Sequence, residues 1–535
     1  MSNRVLTKKI SAMLSVMLLV SMLVPVLAFA ATGFSNLVYK NGTVSGTVYS
    51  SVYTGVKDAV YLNVYSPSNA LVTTTTATYS TYANGNYYYD FSKYFSNEFN
   101  YVTVYADVYQ NGTVGESVYQ TVYNTTDKST SGRSSRGSSG SAAPISTNNS
   151  IQAESNGNVD ATALKNALAA SKNVEIKISG EIAIIPASAL VDALKDGAVI
   201  TVVSDNGSYS LPLSVLDLDA LTKELDVTVD VLNIKVSIKK LSDDAAKAVA
   251  DAAASLGANQ VSDVVDFNVV AEGKDGKTAN IKFGNTYVSR SVKLSKSVDS
   301  SKATGVLYNE ATNKLSFVPA VFGTKDDQPI ATLKRNGNSI YTVVELNKSF
   351  DDIASHWAKA DIELLANKLV VDGVSDNKFD ADRNITRAEF AALVVRALGL
   401  STVSAASDFT DVKSGAWYAD AVAAAAQAGI INGYEDKTFR PDAQITREEL
   451  AAMAVRAMSY ADIATTVSAD DQASLLKKFK DADDIVWAKA EIAAAINAGL
   501  INGLTDTTLG PDSQATRAQT ATILKRFLST ANFIN

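Results

Sequence analysis

The chain changes periodicity three times along its length. Between residues 32 and 125, apolar and polar positions alternate. Val102, Val104, Ala106 and Val108 fall on one side of a run whose other side carries Tyr101, Thr103, Tyr105, Asp107 and Tyr109. Val60, Leu62 and Val64 against Tyr61, Asn63 and Tyr65 repeat the scheme, as do Val118 and Val122 against Tyr119 and Tyr123. A period of two marks strands with one buried face. Asn41-Gly42, Asn84-Gly85 and Asn111-Gly112 separate such runs, and Asn-Gly accepts the positive φ angles of tight hairpin turns. The pattern predicts an all-β sandwich with aliphatic inner faces and tyrosine outer stripes. Of the 23 tyrosines in the chain, 16 lie in this segment.

Residues 126–150 are Ser- and Gly-rich with almost no apolar content, the composition of a flexible linker. From 151 to 348 the pattern predicts an α+β region that turns β-rich, divisible into two subdomains. Helices are expected at Val159–Ser171, Leu190–Lys195, Leu218–Leu225 and Asp243–Leu256, the last capped by Ser242. Strands are expected at Val174–Ser179 and Val199–Val203, and predominate from Val264 onward, with Asp275-Gly276 as a turn.

The remaining third is a threefold internal repeat, at 349–408, 409–470 and 479–535. Trp357, Trp417 and Trp487 each stand 16 residues before Gly373, Gly433 and Gly503, and each glycine stands 13 before Thr386, Thr446 and Thr516. Arg387, Arg447 and Arg517 follow those threonines. Thr386-x-x-Glu389, Thr446-x-x-Glu449 and Thr516-x-x-Gln519 have the form of helix capping boxes. Apolar stripes such as Phe390, Leu393, Val394 and Ala397 follow at helical spacing.

An arginine at the first position of a helix faces the positive end of the macrodipole, where acidic residues are preferred. Three such placements suggest an anion site built from free helix N–H groups and a guanidinium, in preference to an exposed or structurally paired arginine. The tryptophans have two readings: core anchors at a helix start, which is favoured, or platforms for a sugar face. The glycines are expected to serve a tight turn or to let a ligand approach the backbone. His356, beside Trp357, has no counterpart in the other repeats and is expected at the surface near a groove.

These segments, ITRAE at Ile385–Glu389, ITREE at Ile445–Glu449 and ATRAQ at Ala515–Gln519, resemble the marker of the S-layer-homology family of Gram-positive (Firmicutes) surface proteins. The resemblance implies an all-α unit in which each repeat is helix–loop–helix and three repeats form a pseudo-trimer. It implies grooves that bind an anionic secondary cell-wall polysaccharide linked to peptidoglycan, often bearing pyruvate ketals. It puts the arginines, tryptophans and glycines named above at those grooves. The Asp380-Ala381-Asp382, Arg440-Pro441-Asp442 and Gly510-Pro511-Asp512 segments differ, so groove affinities are expected to differ. Thr304–Val344 resembles, more loosely, a segment that precedes such repeats in Firmicutes surface proteins, which implies a structural stalk.

Charge and composition narrow the rest. The formal charge of −8 argues against nucleic acid, which needs a basic patch. With no Cys, disulfides, thiolate metal sites and cysteine nucleophiles are excluded. With one His, zinc and triad chemistry would have to use His356. Residues 32–348 have neither Trp nor His, and no phosphate-cradling loop or HExxH helix appears. The chain is therefore expected to have no catalytic residues, no metal and no cofactor. Residues 1–30 read as an export signal: Arg4, Lys8 and Lys9, an apolar run at Met13–Val24, Pro25, then Ala28-Phe29-Ala30. That run is shorter than the roughly 20 residues that span a bilayer. No sortase-type motif or hydrophobic tail is seen, so the repeats are expected to hold the protein at the surface. The alternatives are a lattice-forming S-layer subunit and an anchored polysaccharide-active enzyme, with a surface protein or glycan as the partner of the Tyr-rich segment.

Overall fold

The computed structural model describes residues 33–40, 42–50, 60–66, 71–83, 86–95, 101–110, 113–123, 149–401 and 408–535. The predicted export signal, most of the linker, and the Asn84-Gly85 and Asn111-Gly112 turns lie outside them, as do the side chains of Tyr101, Tyr109 and residues 113–123. The chain falls into two compact units, Met1–Ala142 and Ala143–Asn535.

Among the described residues the first unit has seven antiparallel strands: β1 (Gly33–Lys40), β2 (Thr43–Ser50), β3 (Val60–Tyr65), β4 (Leu71–Ala83), β5 (Asn86–Tyr94), β6 (Tyr101–Gln110) and β7 (Thr113–Tyr123). They pair in the order β1-β2-β5-β4-β3-β6-β7. Strand β4 changes partner midway: residues up to Ala77 pair with β3, and Thr78 onward pair with β5. The predicted alternation holds in β3 and β6. Val60, Leu62, Val64, Val102, Val104, Ala106 and Val108 are fully buried, and Tyr61 is 47% exposed. The inner face is not purely aliphatic, because Tyr39 and Tyr89 are core residues. Period two explains Tyr89: in Tyr87-Tyr88-Tyr89 both faces must receive rings. Tyr39 stacks on buried Phe95 at 5.3 Å.

The second unit opens with two sheets, the first antiparallel and the second mixed. One runs β10 (Ile182–Pro186), β13 (Asn233–Lys240), β15 (Val265–Glu272), β22 (Ser339–Glu345), β18 (Ala303–Asn309), β19 (Lys314–Val318), with β14 (Asn259–Gln260) also on β22 and β16 (Thr278–Asn280) on β15. The other runs β20 (Ala320–Lys325), β21 (Gln328–Arg335), β17 (Val288–Lys293), β12 (Gly207–Pro212), β11 (Val199–Ser204), β9 (Asn173–Lys177), β8 (Ser150–Gln152), with β9 parallel to β11 and to β8. Each sheet draws strands from both halves of the region, and one hydrophobic cluster runs from Ala153 to Val343. The expected division into two subdomains is therefore wrong: neither half can bury its strands without the other. Helices form at Ala161–Ala170, Leu218–Leu225 and Asp243–Ser255. Leu190–Lys195 forms short 3-10 turns instead of a helix, and Ser242 occupies the cap position without a side-chain cap bond.

The repeats are helical. Their first helices are Lys359–Asn367, Ala419–Gln427 and Lys489–Asn497; their second are Arg387–Ala397, Arg447–Tyr460 and Arg517–Thr530. A further helix, Ala469–Leu476, precedes the third repeat and is capped by Ser468. This region abuts the sheets. Ala320 N donates to Phe533 O at 2.8 Å, and the Asn535 side chain pairs with both main-chain groups of Phe322 on edge strand β20. Tyr287 donates to Leu398 O at 2.7 Å.

Lys368 of the first repeat is buried against the sheet region, its Nζ donating to Ser300 O at 2.7 Å and Ala303 O at 2.8 Å. Burial lowers its pKa to about 8, from 10.5. Between those values the unfolded chain binds a proton that the folded chain does not, so stability rises with pH. Relative to Lys368→Met, the unaltered chain should gain stability from about pH 8 to 10.5 in denaturant titrations, and a constant difference would contradict this.

Candidate functional site

Each second helix starts at a threonine in extended conformation, and all three capping boxes form. The hydroxyls of Thr386, Thr446 and Thr516 each accept from the third helical amide at 3.2 Å. The amides before it are taken by a neighbouring repeat. Arg387, Arg447 and Arg517 N–H donate to Ala443, Ser513 and Arg383 carbonyls, and Ala388, Glu448 and Ala518 N–H to Pro441, Pro511 and Ala381 carbonyls, at 2.9–3.0 Å. Just upstream, Ile385 N donates to Ala515 O, Ala515 N to Ile445 O, and Ile445 N to Ile385 O, each at 3.0 Å. Asn384 Nδ2 joins Gln444 and Gln514 at 3.1 and 2.6 Å. The helix N–H groups expected to cradle an anion are thus spent on backbone. That part of the sequence reading does not hold, because the helix ends face a neighbouring chain segment and not solvent.

The arginine side chains follow the same cycle. Arg387 Nε donates to Phe439 O at 2.9 Å, Arg447 Nε to Leu509 O at 3.0 Å, and Arg517 Nε to Phe379 O at 3.0 Å. Arg447 and Arg517 add a second carbonyl, Asn502 O and Asp372 O, both at 2.8 Å. Arg387 instead pairs with Glu449 at 2.7 Å. The guanidinium groups of Arg387 and Arg517 also lie over Phe439 and Phe379, 4.9 and 4.4 Å from the ring centroids. These contacts offset the unfavourable dipole position. Burial lowers the pKa of Arg447 and Arg517, yet both stay charged at any ordinary pH.

The loop that supplies those carbonyls is fastened from its other side by an aspartate. Asp352 accepts from Phe379 and Asp380 N–H, Asp411 from Phe439 and Arg440 N–H, and Asp481 from Leu509 and Gly510 N–H. The second residue of each pair, Asp380, Arg440 or Gly510, has φ near +60°. For Asp352 and Asp481 burial pushes the carboxyl pKa up, but backbone amides, together with the charge of Lys378 or Arg447, leave it below the ordinary value.

Three grooves lie between the repeats. Arg387, Gly433 and Trp487, from repeats one, two and three, line a cavity of about 660 Å³ with Tyr434, Arg440, Glu449 and Arg456. Arg447, Gly503 and Trp357, from repeats two, three and one, line a second of about 330 Å³ with Gln519 and Arg526. Arg517 lines the third with Asp372 and Phe379, and it holds only about 20 Å³, little more than a water. Gly373 and Trp417 are not among its lining residues.

The tryptophans are 65%, 67% and 51% exposed at Trp357, Trp417 and Trp487, so the favoured core reading is corrected to the surface one. The inward place at the start of the first and third of these helices is taken by the next residue, Ala358 or Ala488, which is buried. His356 is a partial correction too. Its Nδ1 accepts from Ala358 N–H at 3.1 Å and its Nε2 lies 3.3 Å from Asp382, so it fastens the same turn.

Two sets of residues escaped the sequence reading although they repeat. The arginines Arg396, Arg456 and Arg526 follow the first set by nine positions, and the aspartates Asp352, Asp411 and Asp481 stand two after Phe350, Phe409 and Phe479. Fixed spacing was the available signal.

The three glycines are dictated by close approach, not by φ. A Cβ on Gly433 would sit 2.4 Å from the Phe409 ring and 2.8 Å from Thr438 O; Gly373 and Gly503 meet Phe350 and Phe479 at 2.7 and 2.6 Å. Overpacking of this kind costs about 1–3 kcal/mol. Gly433→Ala should therefore lower the thermal unfolding midpoint of the repeats, whereas an unchanged midpoint would mean the ring is free to move.

Residues 349–391, 408–451 and 478–521 match the S-layer homology domain family. An amylopullulanase of Thermoanaerobacterium thermosulfurigenes is 33% identical over 50% of this chain and 15% of its own length, a match longer than the repeats. A surface-layer 125 kDa protein of Lysinibacillus sphaericus is 32% identical over 32% of this chain and 14% of its own. A middle cell wall protein of Brevibacillus brevis is 41% identical over 19% and 10%. The chain thus spans only a small part of each of these relatives. Its C-terminal third carries three S-layer homology domains, which place it at the bacterial cell surface.

Proposed function

We propose that the three repeats form a closed pseudo-threefold unit that holds the chain non-covalently on the wall by binding an anionic secondary polysaccharide linked to peptidoglycan. The observation that carries this is the make-up of the two open grooves. Each combines an arginine from one repeat, a glycine-containing loop from the next and an exposed tryptophan from the third. A guanidinium offers paired donors to a carboxylate or phosphate, and an indole face suits the apolar side of a sugar ring.

In this reading the first unit is a two-layer sandwich, its layers joined where β4 changes partner, and it is the displayed adhesive or structural module. Exposed Tyr61, Tyr79, Tyr82 and Tyr94 support a binding surface with little entropy to lose. The role is non-catalytic. The enzymes among the relatives are matched over a small share of their length, 15% for the amylopullulanase. A lattice-forming role is the second reading, favoured by the surface-layer proteins among the relatives.

The full chain should sediment with Gram-positive wall sacculi and lose that binding when acid strips the secondary polymer. Replacing Trp357, Trp417 and Trp487 together by Ala should weaken it at least tenfold. Equal binding to stripped sacculi, or none to intact ones, would contradict the proposal.

A further inference from the structure

The two open grooves share a plan but not a charge. In the larger one every arginine already has a carboxylate partner: Arg387 with Glu449 at 2.7 Å, Arg440 with Asp436 at 3.2 Å, and Arg456 with Glu491 at 3.6 Å. Tyr434 hydroxyl donates to the same Glu449 oxygen. An arginine whose charge is met inside the protein has little left for an incoming anion, and displacing its partner costs the contacts already made.

The smaller groove is different. Its lining holds Arg447 and Arg526 and no acidic residue. Among the described residues neither arginine makes an ion pair; their bonds run to the main-chain carbonyls of Leu509, Asn502 and Leu500. Asp481 lies near enough to act on Arg447 electrostatically, but its oxygens accept from the Leu509 and Gly510 amides. For Arg447 the cause is one substitution in the repeat. Where the first two capping boxes end in Glu389 and Glu449, the third ends in Gln519. Gln519 takes the place opposite Arg447 that Glu449 takes opposite Arg387, and it still completes its cap. At the third, where Arg517 lines a pocket of only about 20 Å³, Glu389 is engaged by Arg383 at 2.6 Å.

We infer that the groove between Arg447, Arg526 and Trp357 is the one that takes the acidic group of the wall polymer, and that Gln519 selects it by leaving the Arg447 guanidinium uncompensated, while Asp361, which stands where the third repeat has Glu491, accepts from the Thr522 hydroxyl at 2.7 Å and not from Arg526. The inference rests on the proposed wall-binding role and deepens it. The acidic group is a carboxylate or phosphate carried on a saccharide, of a size that about 330 Å³ admits. The larger groove then contributes shape and stacking but little charge.

The test uses the full chain and wall sacculi that keep their secondary polymer. Gln519→Glu places a carboxylate against Arg447 while preserving the capping box, so the unfolding midpoint should hold or rise while sacculus binding falls at least tenfold. Arg526→Ala should lower binding similarly and flatten its dependence on salt. If the unaltered chain binds and Gln519→Glu binds equally well, the groove assignment is wrong while the anchoring role stands. If the unaltered chain does not bind, the anchoring role itself fails and the assignment with it.

Discussion

The first amides of an α-helix have no partner within the helix, and in this chain a neighbouring repeat supplies them. The threonine cap satisfies one donor of each second helix. The two before it reach carbonyls some 50 to 140 positions away in sequence, and the three segments that lead into these helices close on each other through Ile385, Ile445 and Ala515. Unpaired buried donors cost about 1–3 kcal/mol each. No repeat can therefore complete its own helix, and removing one leaves such donors on another. The second helix of each repeat also packs on the first helix of the next, with the third returning to the first.

That closure is what makes grooves. A groove wall needs three parts that one repeat cannot supply together: an arginine held by a neighbouring carbonyl, a loop brought close by a glycine, and a tryptophan turned outward. The aspartates at 352, 411 and 481 hold the loop, and the arginines lock against its other side. The plan is shared, so small departures decide what each groove can do. Leu509 replaces the phenylalanine under Arg447, and Gln519 replaces the glutamate beside it.

Much of this was legible in the residues. Capping boxes are local and announce themselves, as does the alternation in β3 and β6, because side-chain period follows directly from backbone geometry. The tryptophans were not legible, since spacing says that a position recurs but not which way it points. The arginines were half legible: their recurrence was plain, but their partners are main-chain carbonyls, which carry no signature in sequence. The two-subdomain reading failed for a related reason. Strand pairing between residues 150–212 and 288–335 is long-range, and no local pattern encodes it.

Three repeats that close on one another in this way should behave as one ring. Native-state hydrogen exchange at the amides of Ile385, Ile445 and Ala515 in the full chain tests it directly. The ring predicts a single opening free energy shared by all three, because releasing one segment strips donors and acceptors from the other two. Three distinct values, graded from one end of the region to the other, would mean that the repeats open independently like a linear stack, and would contradict it.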